Sequence, residues 1–459
     1  MKIGFLPLYV KLYDDVTPHL RPEHEAFYAE LTRIFEDKGA TVVTAPFCRL
    51  ANEFCAAVKH FEEEGVDAIV SLHMAYSPSL ESIDALSATR LPLVVMDTTR
   101  ALEFDNRQSP GEISFCHGIH GVMDMCSMLI RRGKDFAIAA GHYTESDVID
   151  RTLGYVRAAI AASALGKAKV ARVGGPFAGM GDFIVPFEEM KERFGIEAFD
   201  LNAEKMKEYA ASVTEKEIEA ERAENAERFD FSGEIIPEEY DATLRSCLTM
   251  RKCVEGEGLN AFTATFLGMG KEQCGLEVMP FIECCKAMER GTGYAGEGDT
   301  LTAAFTGAFL QGYPKTTFCE IFCPDWKNSL VLLSHMGEVN YRIADTKPTV
   351  SRVKTNYAPT AFPYVGYTRM AGGEGVYVNV CRGKDDFKLV IFGTEMKSYN
   401  DDNFPTSMRG WMRTGESCAS FLEGLSINGA THHSSFVYGA TVDEIKFFAK
   451  LIGVEVAQL

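Results

Sequence analysis

Four residues in the second half of the chain have side chains that can together hold a metal ion and move protons. They are Glu297 in Ala-Gly-Glu-Gly-Asp, Glu320 in Phe-Cys-Glu-Ile-Phe, His335 in Ser-His-Met-Gly-Glu-Val and His433 in Thr-His-His-Ser-Ser-Phe. Two carboxylates and two imidazoles suit a Mn²⁺-like ion, intermediate between all-oxygen Mg²⁺ sites and thiolate-rich Zn²⁺ sites. Such an ion can hold two neighbouring substrate oxygens while the carboxylates transfer protons.

The spacing of these four residues does not by itself establish a site. They are spread from residue 297 to residue 433, and no short pattern such as His-Glu-x-x-His joins them. Taken singly, a glutamate or a histidine in a glycine-rich stretch is more often a solvated or hydrogen-bonded loop residue. The flanking sequence is what favours a common site.

In that flanking sequence the chain resembles the L-arabinose isomerase family, within the wider L-fucose isomerase-like group. The matching stretches occur in the family's order and at roughly its separations, and together they span nearly the whole chain. They are His120-Gly with Ala139–His142, Asn260–Phe266, Gly293–Asp299, Leu330–Val339 and His432-His433. Each stretch is weak evidence alone, but the set is specific.

The resemblance implies a ligand set and a pair of proton-transfer groups. It implies that Glu297, Glu320, His335 and His433 bind the metal ion, and that the two glutamates also act as the acid/base pair. The implied ion is Mn²⁺, with Co²⁺ or Mg²⁺ as alternatives.

The resemblance also implies substrate contacts and an assembly. His432, the neighbour of His433, is expected to support the ligands and to contact the substrate. Phe266 and His120 are expected to line the sugar pocket. In the family, the residue matching His120 reaches into the active site of an adjacent subunit. We therefore expect a homo-oligomer, a trimer or a hexamer, with active sites shared between subunits.

The chain departs from the family at substrate contacts rather than at ligands. The family's N-terminal Gln-His-Leu-Tyr reads Val10-Lys-Leu-Tyr13 here, and the segment between Glu320 and His335 is shorter. These changes favour isomerase chemistry on a sugar other than L-arabinose, such as a hexose, a deoxysugar or an acid-bearing sugar.

Three further substrate contacts are expected from their positions. Tyr13 keeps the family's tyrosine, and Tyr76 lies in a turn after a predicted strand, where parallel sheets bind ligands. Met180 lies in the glycine-rich stretch Gly174–Gly181, which lacks both nucleotide-binding glycine patterns. We interpret that stretch as a substrate-facing loop.

Composition limits the alternatives. The 459 residues suggest about three domains. A net charge of −19 argues against nucleic acid as a partner. Thirteen cysteines without a secretory signal suggest the cytoplasm, and we expect no stretch with the roughly 18 apolar residues of a membrane helix.

A zinc site built from Cys319, Cys323 and His335 is the alternative metal hypothesis. Its Cys-x₃-Cys spacing has no second cysteine pair downstream. The favoured interpretation is that both cysteines are small, buried, apolar residues on a strand beside the site.

The patterns along the chain predict three domains of two kinds. Strand and helix patterns alternate in the N-terminal part, which indicates parallel sheets covered by helices. Ala203–Arg228 is rich in Glu, Lys and Ala and predicts a solvated helix. Short β-branched and aromatic runs follow residue 325. We predict two Rossmann-like α/β domains and a C-terminal antiparallel β-barrel-like domain, with bounds 1–168, 169–325 and 326–459.

The leading function is an aldose–ketose isomerase that works through a cis-enediol. One glutamate removes the proton on C2 and returns it to C1, while the other moves the hydroxyl proton. Two alternatives stay open: a non-catalytic sugar-binding sensor, and an epimerase or lyase that uses the same enediol.

Overall fold

In the computed structural model, which describes residues 1–459, the chain forms two units, Met1–Ile160 and Ala161–Leu459. The helix Val148–Leu165 spans the boundary. Whether the second unit divides again near residue 325 stays a prediction.

The first unit is an α/β layer built on five parallel strands in the order β2-β1-β3-β4-β5. The inner strands are buried on both faces, as the apolar runs of a helix-covered parallel sheet require. Its elements are β1 Lys2–Leu8, α1 Lys11–Val16, α2 Arg21–Asp37, β2 Thr41–Thr44, α3 Ala51–Glu64, β3 Ala68–His73, α4 Ser79–Ala88, β4 Leu93–Asp97, α5 Ile113–Cys116, α6 Ile119–Arg131, β5 Phe136–Ala140 and the start of α7, Val148–Leu165.

One segment of this unit is longer and more apolar than expected from the sequence. Pro110–Arg131 is long and apolar enough by composition to cross a membrane. In the fold it is a 3₁₀ turn followed by α5 and α6, with a break at residues 117–118. The 13 residues of α6 span only about 20 Å, less than the roughly 30 Å of a bilayer core.

The second unit begins with a four-stranded parallel sheet in the order β10-β9-β6-β7. Its strands again alternate with helices. The elements are β6 Lys169–Val173, α8 Phe187–Phe194, β7 Glu197–Asp200, α9 Ala203–Ala211, α10 Glu215–Arg228, β8 Asp230–Phe231, α11 Pro237–Glu257, β9 Ala261–Ala264, α12 Phe281–Arg290, β10 Gly293–Gly296 and α13 Thr300–Gly312.

A closed antiparallel barrel comes next along the chain. Six strands run in the order β15-β18-β11-β12-β17-β16, and β16 pairs back onto β15. β19 extends β16 in parallel, while β13 pairs with β14 and β8 in a small separate sheet. The elements are β11 Thr316–Asp325, β12 Leu330–Ser334, β13 Thr349–Arg352, β14 Tyr364–Tyr367, β15 Gly373–Arg382, β16 Phe387–Lys397, β17 Gly410–Arg413, α14 Cys418–Ile427, β18 His433–Tyr438, α15 Val442–Leu451 and β19 Glu455–Gln458.

The predicted fold class is therefore confirmed, whereas one predicted element is wrong. The single solvated helix expected over Ala203–Arg228 is two helices, α9 and α10. The second begins at a capping box, in which Thr214 accepts from the Glu217 backbone and the Glu217 side chain accepts from the Thr214 backbone. This arrangement satisfies the free amides of a new helix start. The helix is also not simply solvated, because Glu221 is buried.

Candidate metal centre

Glu297 is presented by the carboxyl edge of the parallel sheet. It follows β10 directly and adopts a left-handed backbone, with φ at 62°. Such a conformation is strained for a residue with a side chain and persists where the surroundings enforce it. Gly296, just before it, allows the close approach of His335, because a Cβ there would lie 2.6 Å from the ring carbon Cε1.

The barrel presents three further residues through its strand register. On β11, Glu320 lies opposite His433 of β18 on one side and opposite Ser334 of β12 on the other. His335 immediately follows Ser334. The three residues therefore lie at one level of the barrel, two of them on strands and His335 just after the end of a third.

These residues form two overlapping sets of potential ligand atoms. One set is Glu320, His335 and His433, and the other is Glu297, His432 and His433; within each set the atoms lie within 4.8 Å of one another. Glu297 Oε2 is 3.6 Å from Nε2 of His433 and 3.6 Å from Nε2 of His432. The structure thus brings the four residues of the predicted ligand set together and adds His432 beside them.

Each histidine is held by a carboxylate on the side that faces away from the centre. The Nδ1–carboxylate pairs are His335–Glu338 at 2.7 Å, His433–Asp299 at 3.1 Å and His432–Asp182 at 2.6 Å. A carboxylate at Nδ1 fixes the tautomer and leaves Nε2 free to bind a metal ion. Three such pairs around one point indicate that the rings are oriented for a common purpose.

The centre contains buried atoms that lack a partner. Glu297 Oε2, His432 Nε2 and His433 Nε2 are buried and make no hydrogen bond. An unpaired buried polar atom is costly, and native proteins rarely keep several together without a reason. A divalent cation would satisfy all three atoms at once, and a mixed carboxylate and imidazole donor set suits Mn²⁺ or Co²⁺. The residues present therefore fit the ion that the family resemblance implies.

The two carboxylates have pKa values that move in opposite directions. Burial acts to raise the pKa of Glu297, but the neighbouring His432, His335 and His433 together hold it below its usual range. Burial raises the pKa of Glu320 above its usual range despite the same imidazoles. Two carboxyl groups with separated pKa values are the arrangement that paired acid and base roles require.

Aromatic rings pack around the imidazoles. The Phe318 ring lies 4.9 Å from the His335 ring and 5.0 Å from the His433 ring. The Phe183 ring stacks on the His433 ring at 5.0 Å. These contacts restrict the orientation of the His335 and His433 rings.

The predicted substrate-facing loop contacts the candidate centre. Within Gly174–Gly181, the backbone N–H of Phe177 donates to the carbonyl of Glu297 at 2.9 Å. Met180 lies in this loop, half-buried, and the ring of Phe266 is 5.6 Å from that of Phe177. Both residues are near the centre, and their contact with a sugar stays a prediction.

Three other predicted substrate contacts lie in the first unit. The Tyr13 hydroxyl is 2.9 Å from Nε2 of His117, whose ring lies 5.9 Å from that of the exposed His120. Tyr76 donates a long hydrogen bond of 3.5 Å to Asp124. Their roles in sugar binding stay predictions.

The prediction that Cys319 and Cys323 are both buried is right for one of them. Cys319 is buried on β11, as expected, but Cys323 is exposed, because a bulge interrupts the β11–β12 register between Ile321 and Cys323. Neither cysteine belongs to a cluster of potential ligand atoms. The geometry does not favour the zinc alternative.

The three orienting carboxylates were not predicted from the sequence. Asp299 and Glu338 lie inside the motifs that pointed to Glu297 and His335, so their short spacing was a usable signal. Asp182 carried no such signal, because it lies 250 positions from the histidine that it holds.

Comparison with known proteins gives family-level matches. The family model of the L-arabinose isomerase central domain matches residues 188–311, and that of the C-terminal domain matches residues 315–455. The L-arabinose isomerase of Aeromonas salmonicida is 26% identical over 419 residues, covering 86% of this chain and 80% of that protein. That of Aeromonas hydrophila is 25% identical over 441 residues, covering 90% and 85%.

A likeness among solved structures is much weaker. A periplasmic binding protein of the arabinose ABC transporter from Shewanella sp. ANA-3 shares 13% identity, over 68% of this chain and 84% of that one, with a TM-score of 0.17. A score this low supports no conclusion about the chain.

Proposed function

We infer the reaction from the premise that the chain belongs to the L-arabinose isomerase family. It is a sugar isomerase that interconverts an aldose and a ketose, an intramolecular oxidoreductase. We further propose that it depends on Mn²⁺, works through a cis-enediol and prefers a sugar other than L-arabinose.

One observation carries the metal-dependent proposal. Glu297, from the edge of a parallel sheet, and Glu320, from a barrel strand, converge on His433 with two further imidazoles beside them. Neither sheet holds both carboxylates, so their convergence depends on the whole second unit.

The proposed roles of the glutamates follow from the chemistry of the reaction. One carboxylate takes the proton from C2 of the aldose and returns it to C1, while the other moves a proton from the C2 hydroxyl to the C1 oxygen. When bound, the divalent ion supplies positive charge beside the two substrate oxygens and makes the C2 proton more acidic.

The aromatic packing supports the same proposal. The Phe318 and Phe183 rings beside His433 make the surroundings of the proposed ligands less polar. The positioned carboxyl group protonates the intermediate, and it can exchange its own proton with solvent before it does so.

The test is isomerisation in heavy water. The Mn²⁺-loaded protein is incubated with a panel of aldoses in D₂O, and the products are identified by NMR. We expect a ketose that carries some solvent deuterium at C1, and a loss in turnover of about 10²-fold or more in Glu297→Gln and Glu320→Gln. Glu63→Gln, which changes an exposed glutamate on α3, serves as the matched control and is expected to retain wild-type turnover.

Two results would contradict the proposal. Complete transfer of the C2 hydrogen to C1 under every condition would indicate hydride transfer instead of an enediol. A C2 epimer as the product, with no ketose, would indicate the epimerase alternative.

A further inference from the structure

An apolar pocket of about 240 Å³ lies in the second unit among the segments that carry the candidate metal centre. Most of its wall is aromatic or aliphatic. Its apolar wall is formed chiefly by Phe266, Phe281, Phe322, Met336, Tyr357 and Tyr367. The proposed isomerase mechanism assigns no role to the pocket as a whole.

Two of these wall residues are close in sequence to proposed metal ligands. Met336 directly follows His335, and Phe322 lies two residues beyond Glu320 on β11. Residues two apart on a strand are about 7 Å apart. The pocket wall and the candidate centre are therefore built on the same two chain segments.

A third wall residue connects the pocket to Glu297. The Phe266 ring contacts the Phe177 ring at 5.6 Å, and the Phe177 backbone N–H donates to the Glu297 carbonyl at 2.9 Å. Thus the loop that holds Glu297 also supports the pocket wall. If C1 and C2 of an aldose lie at the centre, the four bonds from C2 to C6, at about 1.5 Å each, reach roughly 5 Å further.

The buried side of the pocket offers little to a hydroxyl group. Met279, Phe281 and Tyr367 are 3%, 2% and 6% exposed, and of these only Tyr367 carries a hydrogen-bonding group. At the rim, the Asn356 amide already donates to the carbonyls of Thr360 and Ala361 at 3.0 Å. The remaining hydroxyl-bearing residues of the lining are exposed or half-buried, so water competes for their hydroxyl groups; they are Thr355, Tyr357 and Thr406. Lys354, also at the rim, is exposed, so water screens its charge.

We propose that this pocket receives the terminal carbon of the sugar and selects an aldohexose whose C6 is a methyl group, a 6-deoxyaldose. The proposal rests on the proposed isomerase function for the placement of C1 and C2. A methyl group gains from apolar contact, whereas a hydroxymethyl group loses its hydrogen bonds to water on entering. A pentose, which has no C6, leaves the pocket unfilled.

The expected discrimination is moderate. An apolar pocket distinguishes a methyl group from a similar group with a hydroxyl, or from a missing carbon, by about 10- to 100-fold. We expect kcat/KM ratios in that range for the 6-deoxyaldose over its hydroxymethyl counterpart and over the matching pentose.

The experiment compares sugars that share all their stereocentres and differ only at C6. The pairs are L-fucose with L-galactose, L-rhamnose with L-mannose and D-fucose with D-galactose, each alongside the corresponding pentose and uronic acid. In the series that is turned over, the 6-deoxy member is expected to have the highest kcat/KM. An equal or better hydroxymethyl sugar overturns the proposal, and so does a preferred uronic acid, which would instead assign specificity to Lys354.

Binding of alditols separates this proposal from the isomerase reaction. Fucitol and galactitol cannot isomerise, and their affinity for the Mn²⁺-loaded protein can be measured by calorimetry. Tighter binding of fucitol, by about 10-fold or more, supports the pocket even if no aldose is turned over, a result that would contradict only the proposed function. Equal affinities for fucitol and galactitol would overturn the proposal that the pocket selects a methyl group.

A substitution in the pocket wall tests whether the pocket causes the preference for fucitol. Phe322 is 48% exposed, so Phe322→Ser is expected to leave the fold intact, and it should reduce the fucitol preference to less than about 3-fold by opening the apolar wall. Phe104→Ser is the matched control, because Phe104 is 51% exposed and lies in the other unit. An unchanged preference in Phe322→Ser, with the wild-type melting temperature, would overturn the assignment.

Discussion

His335 and Glu338 form a buried pair in which Nδ1 of the imidazole lies 2.7 Å from Oε2 of the carboxylate, three residues further along the chain. Their side chains are 3% and 1% exposed. The other carboxylate oxygen accepts from the hydroxyl of Tyr294 at 2.8 Å. Because Tyr294 belongs to β10, the strand that ends just before Glu297, one carboxylate ties the orientation of a barrel histidine to the sheet edge that presents Glu297.

The first prediction concerns this carboxylate. Glu338→Gln removes the charge that holds the His335 ring, and it should lower the affinity for Mn²⁺ by about 10- to 100-fold, the usual effect of losing an orienting partner. Calorimetric titration of the metal-free protein measures this directly, without reference to turnover. A variant that is folded, with unchanged affinity, would show that Glu338 does not act through His335.

The second prediction concerns removal of the metal ion. The unpaired buried atoms of Glu297, His432 and His433 gain partners only when a cation binds, so chelation should abolish turnover, and Mn²⁺ or Co²⁺ should restore it. Binding should also raise the melting temperature, since an ion at 100 times its Kd stabilises the fold by about 2.7 kcal/mol. Full turnover in a demonstrably metal-free preparation would refute the metal-dependent model.

The third prediction concerns the strained backbone of Glu297. Glycine tolerates a φ of 62° and alanine does not, so Glu297→Gly should be more stable than Glu297→Ala by about 1 kcal/mol, although both lose turnover. Chemical denaturation of the two variants measures the difference. Lys59, within α3, supplies the control, because there glycine should be less stable than alanine by about 1 kcal/mol. The same sign at both positions would mean that Glu297 carries no strain.

The sequence predicted the members of the candidate centre better than it predicted their arrangement. The family resemblance pointed to Glu297, Glu320 and His335, and the structure brings them together. That Glu320 lies directly opposite His433 depends on the pairing of β11 with β18, two strands more than a hundred residues apart. Local patterns carry no information about such a register.

Two misses have different physical causes. Thr-Glu-Lys-Glu at residues 214–217 is a capping-box pattern that the sequence shows. The prediction followed the Glu-, Lys- and Ala-rich composition instead, which favours one continuous helix. The burial of Glu221 was not readable, because its partners Arg251 and Lys286 come from two other helices. A buried carboxylate needs cations beside it, and here they come from distant parts of the chain. The sequence does not show which distant residues will lie next to Glu221.

The fourth prediction uses this buried ion cluster. Burial acts to raise the pKa of Glu221, but Arg251 and Lys286 outweigh it and lower the pKa to about 2. Because the folded-state pKa lies below the unfolded value of about 4.3, the cluster stabilises the fold fully above that value. Its contribution, up to about 3 kcal/mol, should be lost as the pH falls toward 2.

The free energy of unfolding, measured by denaturant titration at a series of pH values, checks this prediction. Glu221→Gln should be less stable at neutral pH and should show a shallower loss of stability between about pH 4.3 and pH 2. Glu234→Gln, at an exposed glutamate, should keep the wild-type slope. An unchanged slope in Glu221→Gln would mean that Glu221 does not contribute to acid unfolding.

The fifth prediction concerns active sites shared between subunits. His120 is exposed near the start of α6, beside the apolar side chains of Ile119 and Met123, which are 41% and 66% exposed. A contiguous exposed apolar patch marks a surface that another molecule covers, and Ile119 and Met123 could contribute to one. The family resemblance predicts that this molecule is a second copy of the chain and that His120 reaches the candidate centre of that copy. The alternative is that His120 serves only its own subunit.

Mixing two inactive variants distinguishes these alternatives. His120→Ala and Glu297→Gln homo-oligomers should each be nearly inactive, for different reasons. In a ring with one site at each interface, random reassembly of an equal mixture pairs an intact His120 with an intact Glu297 at about one interface in four. The mixture should therefore recover about a quarter of the wild-type turnover. If both residues served the same subunit's site, every site would lack one of them, so well-mixed oligomers without recovered turnover would refute the shared site.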